Sequence, residues 1–207
     1  NKKQHFFIFI FLLYNIPFIL FMITNDLQLF EKLKKVLLYE NSDDFLKTIY
    51  EYRHQLNLTN RKGETLLFYA CYYGLTEQFF TLLSFGVTIT KTINGNSLLH
   101  YSLYNSNDFL IVSELIKMGV KPLNVNNNNE PAFFYSSNNI FNHYLYTMLT
   151  QQKINIESIK DFNNFNILDF SYYHNNMETF LYWKSILNHI DFIPDNTIKL
   201  NQLNFCQ

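Results

Sequence analysis

The chain is short of the residues from which sites are most easily read. Among its 207 residues there are two cysteines, Cys71 and Cys206, too few for a disulfide framework or a cysteine zinc site. Glycine (5), proline (4) and alanine (2) are scarce. No glycine-rich phosphate loop, nucleophile elbow or His-Glu-x-x-His occurs. Excess charge is missing too: 16 basic residues face 17 acidic ones, a formal net charge of −1, which gives no electrostatic case for nucleic acid or an anionic surface as main partner. What abounds is Asn (28), Phe (22) and Tyr (15). All three have AT-rich codons, so their number reflects coding composition as well as use. The length suits one mid-sized domain or a short repeat array, but not two ordinary globular domains.

From Phe6 to Asn25 the chain carries no charge, and a short basic start, Asn-Lys-Lys-Gln-His, precedes it. A spanning helix needs about 20 mainly apolar residues and a signal peptide about 7 to 15, so either fits. The exit, Phe21-Met22-Ile23-Thr24-Asn25, offers no small-x-small cleavage site and favours an uncleaved anchor. Pro17 and Asn15 weigh against a firm span. Residues 1–25 are therefore expected to form an apolar N-terminal helix that serves as signal or anchor, with 6–23 the part that meets a membrane. The alternative is an apolar extension buried against the first helices of the chain.

The strongest pattern is periodic. A helical stripe of the form apolar, x, x, apolar, apolar recurs at Leu46/Ile49/Tyr50, Phe79/Leu82/Leu83, Val112/Leu115/Ile116 and Leu145/Met148/Leu149, each 33 residues after the last. A fifth, Trp183/Ile186/Leu187, comes after 38. The glycines share this grid. Gly63 and Gly95 each precede a Thr or Ser by two residues and a Leu by four, Gly86 and Gly119 each close a stripe, and Gly74 falls between two helical stretches. Asp43-Asp44 after Ser42 reads as a helix start, with the carboxylates serving cap and dipole. Cys71 reads as a packed core thiol, and the run Asn126 to Asn129 as a low-complexity hairpin tip with no packing demand.

The run Asn60-Arg61-Lys62-Gly63-Glu64-Thr65-Leu66-Leu67-Phe68-Tyr69-Ala70-Cys71-Tyr72-Tyr73-Gly74, with Leu82-Leu83-Ser84-Phe85-Gly86-Val87 after it, resembles an ankyrin repeat. The next unit, Gly95-Asn96-Ser97-Leu98-Leu99-His100 to Gly119-Val120, keeps the motif's Ser and His; a third, Asn128 to Phe133, keeps the proline; a fourth, Asp161 to Asp169, keeps the leading Asp and puts Asn164 at the glycine position. The resemblance implies an all-α, ankyrin-type solenoid of about five stacked helix-turn-helix repeats with hairpin-like loops, at 26–59, 60–91, 92–124, 125–160 and 161–193. Residues 194–207 would then be a tail or the start of a further repeat. Such bricks cannot bury their apolar faces alone, so Leu67, Leu99 and Leu168 on the first helices should meet the second-helix stripes in a shared core. His100 stands at the motif's histidine position and is expected to bond Ser97 or nearby backbone rather than a metal.

In this family the binding face consists of hairpin tips and outward positions of the first helices. Carried over, these are Arg61, Lys62 and Glu64 with Tyr72 and Tyr73; Ile93, Asn94 and Asn96 with Tyr104 and Asn105; Asn126, Asn127 and Asn129 with Ser137 and Asn138; and Phe162, Asn163 and Phe165 with Tyr173 and His174. Tyrosine offers large contact area at low entropy cost, so the ladder Tyr72, Tyr73, Tyr104 and Tyr173 is the expected contact surface. The resemblance implies a monomeric, non-catalytic module with no cofactor and no metal. It would bind a partner protein through its concave face; the balanced charge argues against nucleic acid, and the first 25 residues would make it membrane-associated or exported. Two alternatives stay open: a soluble cytoplasmic scaffold of the same fold, and a regulatory or targeting fragment of a larger enzyme.

Overall fold

The computed structural model describes residues 24–106 and 108–187. The expected apolar helix over 6–23 and the tail at 194–207 lie outside them. The described chain is helical, and its strand-like pairing is confined to two isolated bridges, Lys91 with Ser97 and Val125 with Pro131. Helix α1 covers 24–39. It is followed by α2 (Ser42–Glu51), α3 (Leu66–Tyr73), α4 (Thr76–Ser84), α5 (Leu98–Asn105), α6 (Phe109–Lys117), α7 (Asn139–Gln151), α8 (Ile167–Tyr173) and α9 (Met177–Ile186), with single 3-10 turns at Ala132–Tyr135 and Ile156–Ser158. Among the described residues no helix is long and apolar enough to cross a membrane. The described chain forms two compact units, one of residues 24–70 and 77–90, the other of 71–76 and 91–187.

In the first unit Phe30, Leu33 and Leu37 of α1 are buried, as are Phe45 and Ile49 of α2 and Phe79 and Leu82 of α4. The expected stripe on α2 is corrected by one residue. Leu46 and Tyr50 are 42% and 62% exposed, because Phe45 occupies the inward position and rotates the buried face. The cap differs as well: the Asn41 side chain, not the Asp43 or Asp44 carboxylate, caps α2, accepting the amide of Asp44 at 2.9 Å. Ser42 donates instead to a Glu77 carboxylate oxygen at 3.0 Å, tying the starts of α2 and α4 together.

The second unit buries Leu98, Leu99 and Leu103 of α5, Val112 and Leu115 of α6, Leu145 and Leu149 of α7, Leu168 of α8 and Trp183 of α9. The remaining residues of the expected triplets sit at the margin of the buried face: Ile116, Met148, Ile186 and Leu187 are half-buried. Cys71 is fully buried, and burial pushes its thiol pKa up, the state of an inert core thiol. Several polar groups in this core are linked in a chain. Trp183 Nε1 donates to Asn142 Oδ1 at 3.1 Å, the Asn142 amide donates to Thr179, and Thr179 donates to the Ser136 carbonyl at 2.6 Å.

Where the third ankyrin-like unit should carry its first helix, the chain makes only the 3-10 turn Ala132–Tyr135. Four apolar residues are followed at once by Ser136-Ser137-Asn138. Asn138 ends the turn by capping α7 through the amide of Phe141, so it is a cap and not the second member of an outward helical pair. Second helices end alike: the amides of Val87, Val120 and Ile154 donate back to the carbonyls of Leu82, Leu115 and Leu149, and the residue before each donor is left-handed. Gly86 and Gly119 fill that place in two cases and Lys153, at φ 57°, in the third.

Candidate functional site

The hairpins are built on one hydrogen-bond pattern. In 60–64, 92–96, 126–130 and 161–165 the amide of the first residue donates to the carbonyl of the fifth, at 3.0, 3.0, 3.1 and 3.0 Å. The amide of the fourth donates back to the first, and that fourth residue is left-handed every time: Gly63, Gly95, Asn129 and Asn164. The side chain of the first residue fills the loop. Asn60, Asn126 and Asp161 each accept two backbone amides through Oδ1, and Thr92 accepts one through Oγ1.

Two hairpins share a further device. Glu64 accepts from the Asn60 amide at 2.6 Å and from the Tyr69 hydroxyl at 2.9 Å; Glu130 accepts from the Asn126 amide at 2.6 Å and from the Tyr135 hydroxyl. An Asn-x3-Glu-x4-Tyr clamp thus pins hairpin to first helical turn. Burial, followed by the adjoining carboxylate, holds the Tyr69 and Tyr135 hydroxyl pKa values well above the ordinary tyrosine range.

These contacts decide which expected surface residues reach solvent. Glu64 and Asn96 do not: both are buried, Glu64 in its clamp and Asn96 accepting from the Asn126 amide at 2.9 Å. They hold the scaffold. Asn126 is buried as well and is the most heavily bonded residue of its loop, so the idle low-complexity tip expected at 126–129 is corrected. In the first unit Arg61 and Lys62 are exposed at their tip, and the Lys62 amide donates to Asn60.

In the second unit the three hairpins are joined edge to edge. Asn127 donates its amide to the Asn94 carbonyl at 2.9 Å and its side chain to the Ile93 carbonyl at 3.0 Å. Phe162 donates to the Asn128 carbonyl at 3.0 Å, and the Asn129 side chain donates to the Lys160 carbonyl. Ile93 and Phe162 stand out from this row, 68% and 75% exposed, with Asn94 and Asn163 exposed beside them.

The second unit also carries a chain of rings. Tyr73 meets Tyr72 edge-on at 4.9 Å, Tyr72 stacks with Tyr104 at 6.1 Å, Tyr104 meets Tyr135 at 6.4 Å, Tyr135 meets Phe170 at 5.2 Å and Phe170 stacks on His174 at 4.0 Å. The Asn105 amide, donating to the Tyr72 carbonyl at 3.0 Å, ties the first step. Tyr73 and Tyr104 are exposed, Tyr72 and His174 half-buried. Burial lowers the His174 pKa and keeps its ring neutral.

Tyr72, Tyr73, Tyr104 and His174 are thus brought into one row. Tyr173 stacks on half-buried Phe165 at 4.7 Å and meets Tyr172 edge-on at 5.8 Å. The row crosses the third module through Tyr135 and enters the fourth through Phe170, both of which sequence reasoning missed. The motif spacing pointed to Ser137 and Asn138 there, and the repeated Asn-x3-Glu-x4-Tyr was the signal that could have found Tyr135.

His100 closes the module from behind. The Ser97 amide can only donate, so Nδ1, 3.1 Å away, is the acceptor, and Nε2 carries the proton toward the Glu130 carbonyl at 3.1 Å. Desolvation drives its pKa down to about 4. Among the described residues no group of His, Cys, Asp and Glu could hold a metal ion. No protein-family model matches the chain, and no curated protein matches it by sequence.

Proposed function

We propose that the chain is a non-catalytic, ankyrin-type repeat array that binds a partner protein through its hairpin tips and the outward ends of its first helices. The architectural half of this reading draws support from the four equivalent hairpins, each leading into a first helix or turn and then a second helix. The functional half rests on one observation above all. A row of tyrosines bridges successive modules of the second unit, the unit whose hairpin tips carry exposed Ile93 and Phe162. Rings locked against one another lose little freedom on binding, and the large apolar side chains exposed at the tips offer area that a partner can cover. Attachment to a membrane, or export, rests on the uncharged segment 6–25 alone.

The test is affinity capture from the source cell with the full chain and with an Ile93→Asp, Phe162→Asp variant. Both positions are exposed, so the variant should keep its helical content and melting temperature yet lose the captured partner. Retained capture would exclude this face.

A further inference from the structure

The exposed row in the second unit has an electrostatic peculiarity. At the second and third positions of its three hairpins stand Ile93, Asn94, Asn127, Asn128, Phe162 and Asn163, none of them charged. The closing pairs of α3, α5 and α8 are likewise Tyr or Asn, and His174 is held neutral by burial. The nearest carboxylates, Glu130 and Asp161, end and begin their hairpins, are buried, and are taken up by donors of their own modules. Lys91 and Lys160 lie on the hairpin legs outside the tips, and the Lys91 amine is occupied with the Val125 carbonyl at 3.3 Å.

A charged side chain laid on this row would give up hydration and find no opposite charge, a cost of several kcal/mol when burial is complete. Part of the tip backbone is already taken, since Asn127 donates to the Ile93 and Asn94 carbonyls and Phe162 to the Asn128 carbonyl. Recognition is left to aromatic faces, side-chain amides and the two projecting apolar groups.

We propose that this face takes an uncharged segment of a partner protein, carrying apolar side chains that cover Ile93 and Phe162 and amide or hydroxyl groups between them. The inference rests on the protein-binding reading above and adds the chemistry of the partner.

Panning a phage-displayed random peptide library on the full chain tests it. The expected winners lack Asp, Glu, Lys and Arg. A synthetic copy should bind with an affinity that changes less than about twofold between low salt and roughly 0.5 M, where the Debye length is under about 5 Å. Phe162→Lys should weaken it at least about tenfold and Phe162→Leu by less than about threefold, as befits loss of apolar burial against retention of it. Charged winners, or affinity falling more than about tenfold with salt, overturn the neutral partner but leave the face standing if a Tyr72→Ala, Tyr104→Ala variant no longer binds them. Winners that bind that variant equally well, or no winners at all, overturn the face and this inference together.

Discussion

Gly95 and Gly119 make a matched pair of probes within the second unit. Both are left-handed, with φ of 79° and 90°, so an alanine at either site carries about 1–2 kcal/mol of backbone strain. Their surroundings differ. A Cβ at Gly119 meets nothing within 4 Å, whereas one at Gly95 falls 2.5 Å from Asn127 Oδ1 and 3.0 Å from the Asn127 amide nitrogen. The side-chain oxygen can swing away, but the backbone nitrogen cannot do so without moving the next hairpin. Gly95→Ala therefore also loses Asn127 to Asn94 and Asn127 to Ile93, two hydrogen bonds worth about 0.5–1.5 kcal/mol each. Gly119→Ala should cost about 1–2 kcal/mol and Gly95→Ala about 2–5 kcal/mol. The chain's one tryptophan, Trp183, is fully buried in this unit, so its fluorescence during urea unfolding reports on the right region. With a slope of about 2 kcal/mol per M, the midpoints of the two variants should differ by roughly 0.5–1.5 M. Equal midpoints would mean that the hairpins do not bear on one another, and the edge-to-edge row would have to be abandoned.

Neighbouring asparagines should behave very differently. Asn126→Ala leaves the buried Glu130 amide and carboxylate short of partners and should cost about 2–4 kcal/mol, while Asn127→Ala, exposed and donating through one side-chain bond, should cost under about 1 kcal/mol; similar losses in denaturation would contradict the hairpin geometry. His100 sets a pH dependence. Its folded pKa of about 4 lies below the ordinary 6.5, so the unfolded chain binds the proton more tightly. Its contribution is complete above about pH 6.5 and drains away as pH falls toward 4, by an amount on the order of 3 kcal/mol. His100→Gln should flatten that part of the stability profile, and an unchanged slope would show that the ring is not buried in neutral form.

Much of the scaffold is legible in the sequence because its causes are local. The 33-residue stripe locates α4, α6 and α7, since packing on one face demands that periodicity; the scarce glycines mark left-handed exits because few other residues adopt them cheaply. His100 is legible for the same reason, its partner Ser97 being three residues away. Legibility ends where a residue's role is fixed by a neighbouring module. Nothing local distinguishes Asn126, buried and bonded to Asn96, from exposed Asn127 in the same asparagine run. Glu64 looks like a surface charge until Asn60 and Tyr69 close around it. The candidate surface divides along that line: Ile93, Phe162 and Tyr104 are exposed as expected, whereas the aromatic row continues through Tyr135, on the single turn that stands in place of the third module's first helix, and through Phe170 of α8.

Amide hydrogen exchange at Asn127 and Phe162 tests most directly whether successive modules are locked through their hairpins. Each amide sits in a loop yet donates to the preceding hairpin, at 2.9 and 3.0 Å. Both should exchange with protection comparable to the interior amides of α5 and α7. Exchange at the rate of an unstructured loop, with those helices still protected, would contradict the account.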